Sequence, residues 1–148
     1  YSQQFTFLPG FWSGFGAFAN VTVMRAEGNY GAGSAIALAP NPKVAGFNPR
    51  TGNAGISYIK GKVSVRLQAN HRGQYLTSFN TNVSRMVYAR KRTALDIKTV
   101  YYISKRYNVY LDVNNVLSEP DRGTLIGGRP GANQVLTPQF YFGINTRL

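Results

Sequence analysis

The sequence predicts an all-β fold: an antiparallel transmembrane β-barrel, to which this chain supplies about seven C-terminal strands. Three observations predict it. Apolar and polar residues alternate with a period of two over several stretches of the chain. The connections between those stretches alternate strictly between short and long. Aromatic residues gather near the short-turn ends of the strands.

Composition bounds the rest. A length of 148 residues suits one domain. The 17 Lys and Arg against 5 Asp and Glu give a formal charge of +12, which suggests nucleic acid or an anionic membrane surface as partner. Charged residues are only 15%, which excludes a charge-driven disordered tail. The absence of Cys excludes disulfides, zinc–cysteine sites and thiol catalysis. A single His excludes a histidine metal cage. Abundant Tyr, Phe, Gly, Asn and Thr favour strands over helices. No apolar run approaches the ~18–20 residues of a membrane-spanning helix. The chain opens at Tyr1 with no Met and no leader pattern, so the expectation is a processed chain or part of a longer one.

The elements follow in order. Residues 1–8 form a ragged first strand, and residues 8–14 a short turn. In residues 15–25, Phe15, Ala17, Ala19, Val21 and Val23 share one face. Residues 28–52 are a long connection rich in Gly, Ala, Asn and Pro. A weak strand over 53–60 meets a tight turn at Lys60-Gly61-Lys62. Over 62–72, Val63, Val65, Leu67 and Ala69 oppose Ser64, Arg66, Gln68, Asn70 and Arg72. After a long loop over 76–92, Leu95, Ile97, Thr99, Tyr101 and Ile103 oppose Asp96, Lys98 and Tyr102. A tight turn over 104–107 leads to Val109, Leu111 and Val113, opposed to Asn108, Tyr110, Asp112 and Asn114. A long loop over 118–137 precedes the last strand, where Phe140, Phe142, Ile144 and Leu148 oppose Gln139, Tyr141, Asn145 and Arg147.

A soluble sandwich gives no reason for short and long connections to alternate. An outer-membrane barrel does, because short turns face the periplasm and long loops face outside. Energy assigns the faces. An Arg or Lys at the lipid midplane costs ~2–4 kcal/mol, so the charged face points into the lumen and the apolar face outward. Phe5, Phe7, Phe11, Trp12, Phe15, Tyr58, Tyr101 and Tyr107 then form a periplasmic aromatic girdle. His71 and Arg25 break the apolar face near its long-loop end, at headgroup level. Seven strands do not close a barrel, and single-chain bacterial barrels have even strand numbers. The expected missing part lies upstream, with Leu148 as the chain's C-terminus.

The stretch Leu111-Asp112-Val113-Asn114-Asn115-Val116-Leu117-Ser118-Glu119-Pro120 resembles the V-x-N-L-x-D/N-x-x motif near the end of TonB-dependent outer-membrane receptors. Residues 8–22, from Leu8-Pro9-Gly10 to Asn20-Val21-Thr22, resemble the lP-x-x-l-x-G-l-x-l-x-a-N-y-T turn and strand of that barrel. The last strand resembles the family's assembly signal through Gly143 and Leu148, with Leu148 where the family has Phe. The resemblance implies that residues 1–148 are the C-terminal part of a 22-stranded barrel plugged by an N-terminal domain outside this chain. It implies active transport of a scarce, large nutrient: a ferric siderophore, haem, cobalamin or an oligosaccharide. Implied partners are the plug and remaining strands, the TonB complex acting through the plug, the barrel-assembly machinery, and the lipid and lipopolysaccharide of the bacterial outer membrane. No enzyme activity, cofactor, metal or nucleic acid is implied.

Candidate residues sort by face. Arg66, Gln68, Arg72, Asp96, Lys98 and Asp112 point into the lumen, where they line a substrate path or pair with plug side chains and water. Asp96 and Asp112 read as lumen pairings beside Lys98 rather than a catalytic carboxylate pair. Arg85, Arg90, Lys91 and Arg92, joined by Arg122 and Arg129, form a basic extracellular rim that faces lipopolysaccharide phosphates or draws anionic ligands. Gly127-Gly128-Arg129-Pro130-Gly131 is turn chemistry and lacks the Lys-Ser/Thr of a phosphate loop. Two other readings stand beside the transporter. One is a complete small outer-membrane barrel with a structural, adhesive or lipid-related role. The other is a soluble basic β-domain binding single-stranded nucleic acid, which would interleave aromatics with Lys and Arg on one face.

Overall fold

The computed structural model describes residues 1–28, 43–80, 82–125 and 129–146. The chain is all-β, and its strands pair antiparallel throughout. In chain order the strands are β1 (Ser2–Gln4), β2 (Phe15–Val23), β3 (Arg50–Lys60), β4 (Val63–Arg72), β5 (Tyr75–Ser78) and β6 (Val87–Ala89). They continue with β7 (Arg92–Tyr102), β8 (Tyr107–Asn114), β9 (Asp121–Leu125), β10 (Pro130–Gln134) and β11 (Gln139–Thr146).

Seven of them make one sheet in the order β1-β2-β3-β4-β7-β8-β11. Each neighbour is the next expected strand along the chain, so the meander read from the sequence is the one observed. The sheet is open: β1 and β11 each pair on one side only. The turns explain the pairing. Gly61 has φ +60 at the first loop position of the β3–β4 hairpin, the place where a two-residue type II′ turn requires Gly. The registers then put Ala17, Ile56, Leu67, Ile97, Val113 and Phe140 in one continuous row across six strands. A one-residue slip of any strand would break that row.

The other four strands form a second sheet in the order β10-β9-β6-β5. Apart from Tyr75, which opens β5, it lies within the connections over 76–92 and 118–137, which sequence periodicity treats as loops. Its strands are three to five residues long. Registers shift between Leu76 and Ser78 and between Pro130 and Asn133. So short and irregular a pairing leaves no period of two to read. The larger strands also start earlier than expected, β3 at Arg50 and β7 at Arg92. Leu148 and the Gly127-Gly128 pair lie outside the described residues.

The buried apolar side chains among the described residues are Leu76, Met86 and Ala89, all in or beside the small sheet. The large sheet has no such core. Phe142 is 84% exposed, Val21 77%, and Phe140 and Ile144 68% each. No described element forms a second layer over its apolar face.

Candidate functional site

The polar face of the large sheet carries the candidate residues in ordered rows about 4.8 Å apart from strand to strand. One row runs Ser57, Arg66, Lys98, Asp112, Tyr141. The next runs Phe18, Gly55, Gln68, Asp96. Beyond it lie Asn20, Asn53 and Asn70, then Thr22, Thr51, Arg72 and Arg92. The alternation of each strand therefore converges on one wet surface, and it brings Arg66, Gln68, Asp96, Lys98 and Asp112 together. Arg72 stands two rows away at the long-loop end.

Within the first row Arg66 and Lys98 face each other, a like-charge pairing that is unfavourable by itself. Each has a separate partner. Lys98 Nζ donates to Asp112 Oδ2 at 3.2 Å. The Arg66 guanidinium sits 5.4 Å from the centre of the Phe18 ring, a cation–π contact. Gly55 makes room for it: a Cβ there would fall 2.4 Å from the Leu67 carbonyl oxygen and 2.7 Å from the Phe18 ring.

The second row is tied by directed hydrogen bonds. Gln68 Nε2 donates to Asn70 Oδ1 at 2.7 Å, and Asn70 Nδ2 donates to Asp96 Oδ2 at 2.6 Å. Asp96 Oδ1 accepts the main-chain N–H of Asn115 at 2.8 Å. Asn115 is buried, with φ 55, a conformation that Asn tolerates. Its Nδ2 donates to the carbonyls of Leu136 at 3.0 Å and Glu119 at 3.3 Å, and its Oδ1 accepts from Glu119 N–H at 3.0 Å. Asn115 thus fastens the end of β8 to the segment leading into β11. The sequence offers it only as one letter of a motif. Its burial and positive φ arise from the turn, which periodicity does not describe.

The basic rim divides. Arg85 closes the 3-10 turn Val83–Arg85, Arg90 follows β6, Arg122 lies on β9, and Arg129 immediately precedes β10. These four therefore lie on or beside the small sheet. Lys91 follows Arg90, and Arg92 is the first residue of β7, facing Arg72 on the wet side of the large sheet. The strand extends three residues earlier than its apolar pattern shows, because Thr93 and Ala94 carry little polarity contrast. Gly143 serves packing: a Cβ there would fall 2.7 Å from the Tyr110 hydroxyl.

At the opposite end of the sheet, Phe11, Phe15 and Tyr58 form one aromatic cluster with centroids 4.9–5.6 Å apart, and Trp12 packs on it. Gly14 is buried, where a Cβ would fall 2.8 Å from the Tyr58 ring, and Lys60 Nζ donates to the Gly10 carbonyl, which holds the turn to β3. Chemically, the polar face is a hydrated surface of fixed donors and acceptors. Among the described residues no three His, Cys, Asp or Glu side chains lie close enough to hold a metal ion. No protein-family model, no curated protein and no solved structure matches this chain.

Proposed function

We propose that this chain is the C-terminal part of an outer-membrane barrel of the TonB-dependent receptor kind. The complete protein would take up a scarce, large nutrient of the ferric siderophore, haem, cobalamin or oligosaccharide class, drawing energy from the TonB complex through its plug. One observation carries the membrane reading. The large sheet presents an in-register apolar face with no layer over it, while its opposite face is hydrogen-bonded and charged. Each large apolar side chain left in water forgoes ~1.5–3 kcal/mol of burial, so lipid is the environment that accounts for the whole face. The strand lengths of 9–11 residues in β2, β3, β4 and β7 match the ~9–11 residues that cross a bilayer, and β8 and β11, at 8 residues, fall one short. The sequential order of strands and the aromatic cluster at the short-turn end support the same reading. Substrate class rests on the family resemblance.

The test has two parts. The protein as made by its cells should fractionate with the outer membrane and migrate faster on a gel unheated than boiled. Cells lacking it should then lose energy-dependent uptake of one nutrient from a labelled panel of the four classes. A monodisperse, folded protein in detergent-free buffer would overturn the membrane reading. Unchanged uptake across the panel would overturn the transport reading alone.

A further inference from the structure

A cleft of about 730 Å³ opens at the long-loop end of the large sheet. Val23 faces Arg50 across β2 and β3, and His71 faces Thr93 across β4 and β7. Arg50 and His71 therefore stand on the apolar side of the sheet, the side of Ile56, Leu67 and Ile97. Lys91, just before β7, lines the same cleft, as do Lys43 and Arg25. Among the described residues that line it, four Lys and Arg thus meet a single carboxylate, Glu27. Glu27 is engaged by Arg25 at 2.6 Å. Neither Arg50 nor Lys91 has a carboxylate within ion-pair distance among the described residues. The rest of the wall combines the polar Gln74 with apolar side chains, among them Val23, Met24, Phe47 and Leu76. Further along the same face, Val21 and Ile56 are exposed.

We propose that this cleft binds the phosphorylated headgroup of an outer-leaflet glycolipid, whose acyl chains run down the apolar face beneath it. The inference rests on the outer-membrane reading. Guanidinium and ammonium groups recognise phosphate through charge-assisted hydrogen bonds. A cationic cleft set on top of an exposed apolar face complements a molecule that is anionic at one end and apolar along its length. A free anion would match the cations and leave the apolar wall and the face below uncovered.

The test uses the whole protein, purified in mild detergent and titrated with a diphosphorylated hexa-acyl glycolipid, with phosphatidylcholine, and with inorganic phosphate. Bound lipid is counted by native mass spectrometry. Charge reversal of Arg50→Glu with Lys91→Glu should weaken glycolipid binding about tenfold or more, since each basic residue near an anionic headgroup contributes substantially. The matched pair Lys105→Glu with Arg106→Glu, at a short turn, should leave it unchanged. Phosphatidylcholine should bind weakly, and millimolar phosphate should not displace the glycolipid. The milder Arg50→Gln with Lys91→Gln pair answers the same question if the reversal blocks folding. Wild-type binding by a cleft variant that retains heat-modifiable migration overturns the proposal alone, and so does displacement by phosphate, which would mark a free-anion site. A wild-type protein that stays folded without detergent overturns the outer-membrane reading itself.

Discussion

The main-chain N–H of Asn115 donates to Asp96 Oδ1 at 2.8 Å, binding the turn after β8 to the middle of the polar face on β7. The same carboxylate accepts from Asn70 on β4 through its other oxygen. Asp96 therefore joins β4, β7 and the turn after β8 at one point.

Asp96→Ala should destabilise the protein by about 2–6 kcal/mol, because two part-buried donors lose their acceptor at ~1–3 kcal/mol each. Asp96→Asn should cost less, since one carbonyl oxygen remains to accept. Asn115→Gly should also destabilise, though it relieves the positive φ, because three side-chain hydrogen bonds disappear. The denaturant midpoint of the purified protein measures all three. If Asp96→Ala equals wild type, Asp96 does not join these elements.

The two faces of β4 and β7 should respond oppositely to charge. On the proposed outer-membrane reading, Ile97→Arg places a cation in the centre of the apolar row and should impair membrane insertion by ~2–4 kcal/mol. Gln68→Arg, on the polar face, should assemble normally. The heat-modifiable fraction in isolated outer membranes reports the difference. Equal assembly of both variants contradicts the lipid-facing assignment, because a sheet in water has no penalty for a cation at residue 97.

The Lys98–Asp112 pair should contribute little to stability. Its N–O distance is 3.2 Å, but the lysine side chain is 58% exposed, so water screens the attraction. A double-mutant cycle through Lys98→Met and Asp112→Asn should give a coupling of about 0.2–1 kcal/mol, shrinking as salt is raised. A coupling above that range would place the pair in a drier setting than its exposure shows.

The large sheet was legible because it obeys a simple period. Alternation alone puts Leu67 and Ile97 on one face, and the register makes them direct neighbours. It puts Gln68 and Asp96 on the other face, and they too are direct neighbours. The small sheet was not legible. Its strands are too short for alternation to show, and their pairing is irregular at Leu76 and Pro130. The start of β7 at Arg92 is hidden for a related reason, since Thr93 and Ala94 carry little polarity contrast.

The sequence by itself determined the number, order and facing of the long strands, because a period of two and the spacing of turns are properties of the chain alone. Tertiary structure decided what those faces hold together. Asn115 became a fastening point, and Arg50, His71 and Lys91 came to share one cleft, because strand pairing brings distant residues within a few ångströms. Local pattern specifies which way a side chain points. Register between strands specifies what it meets there.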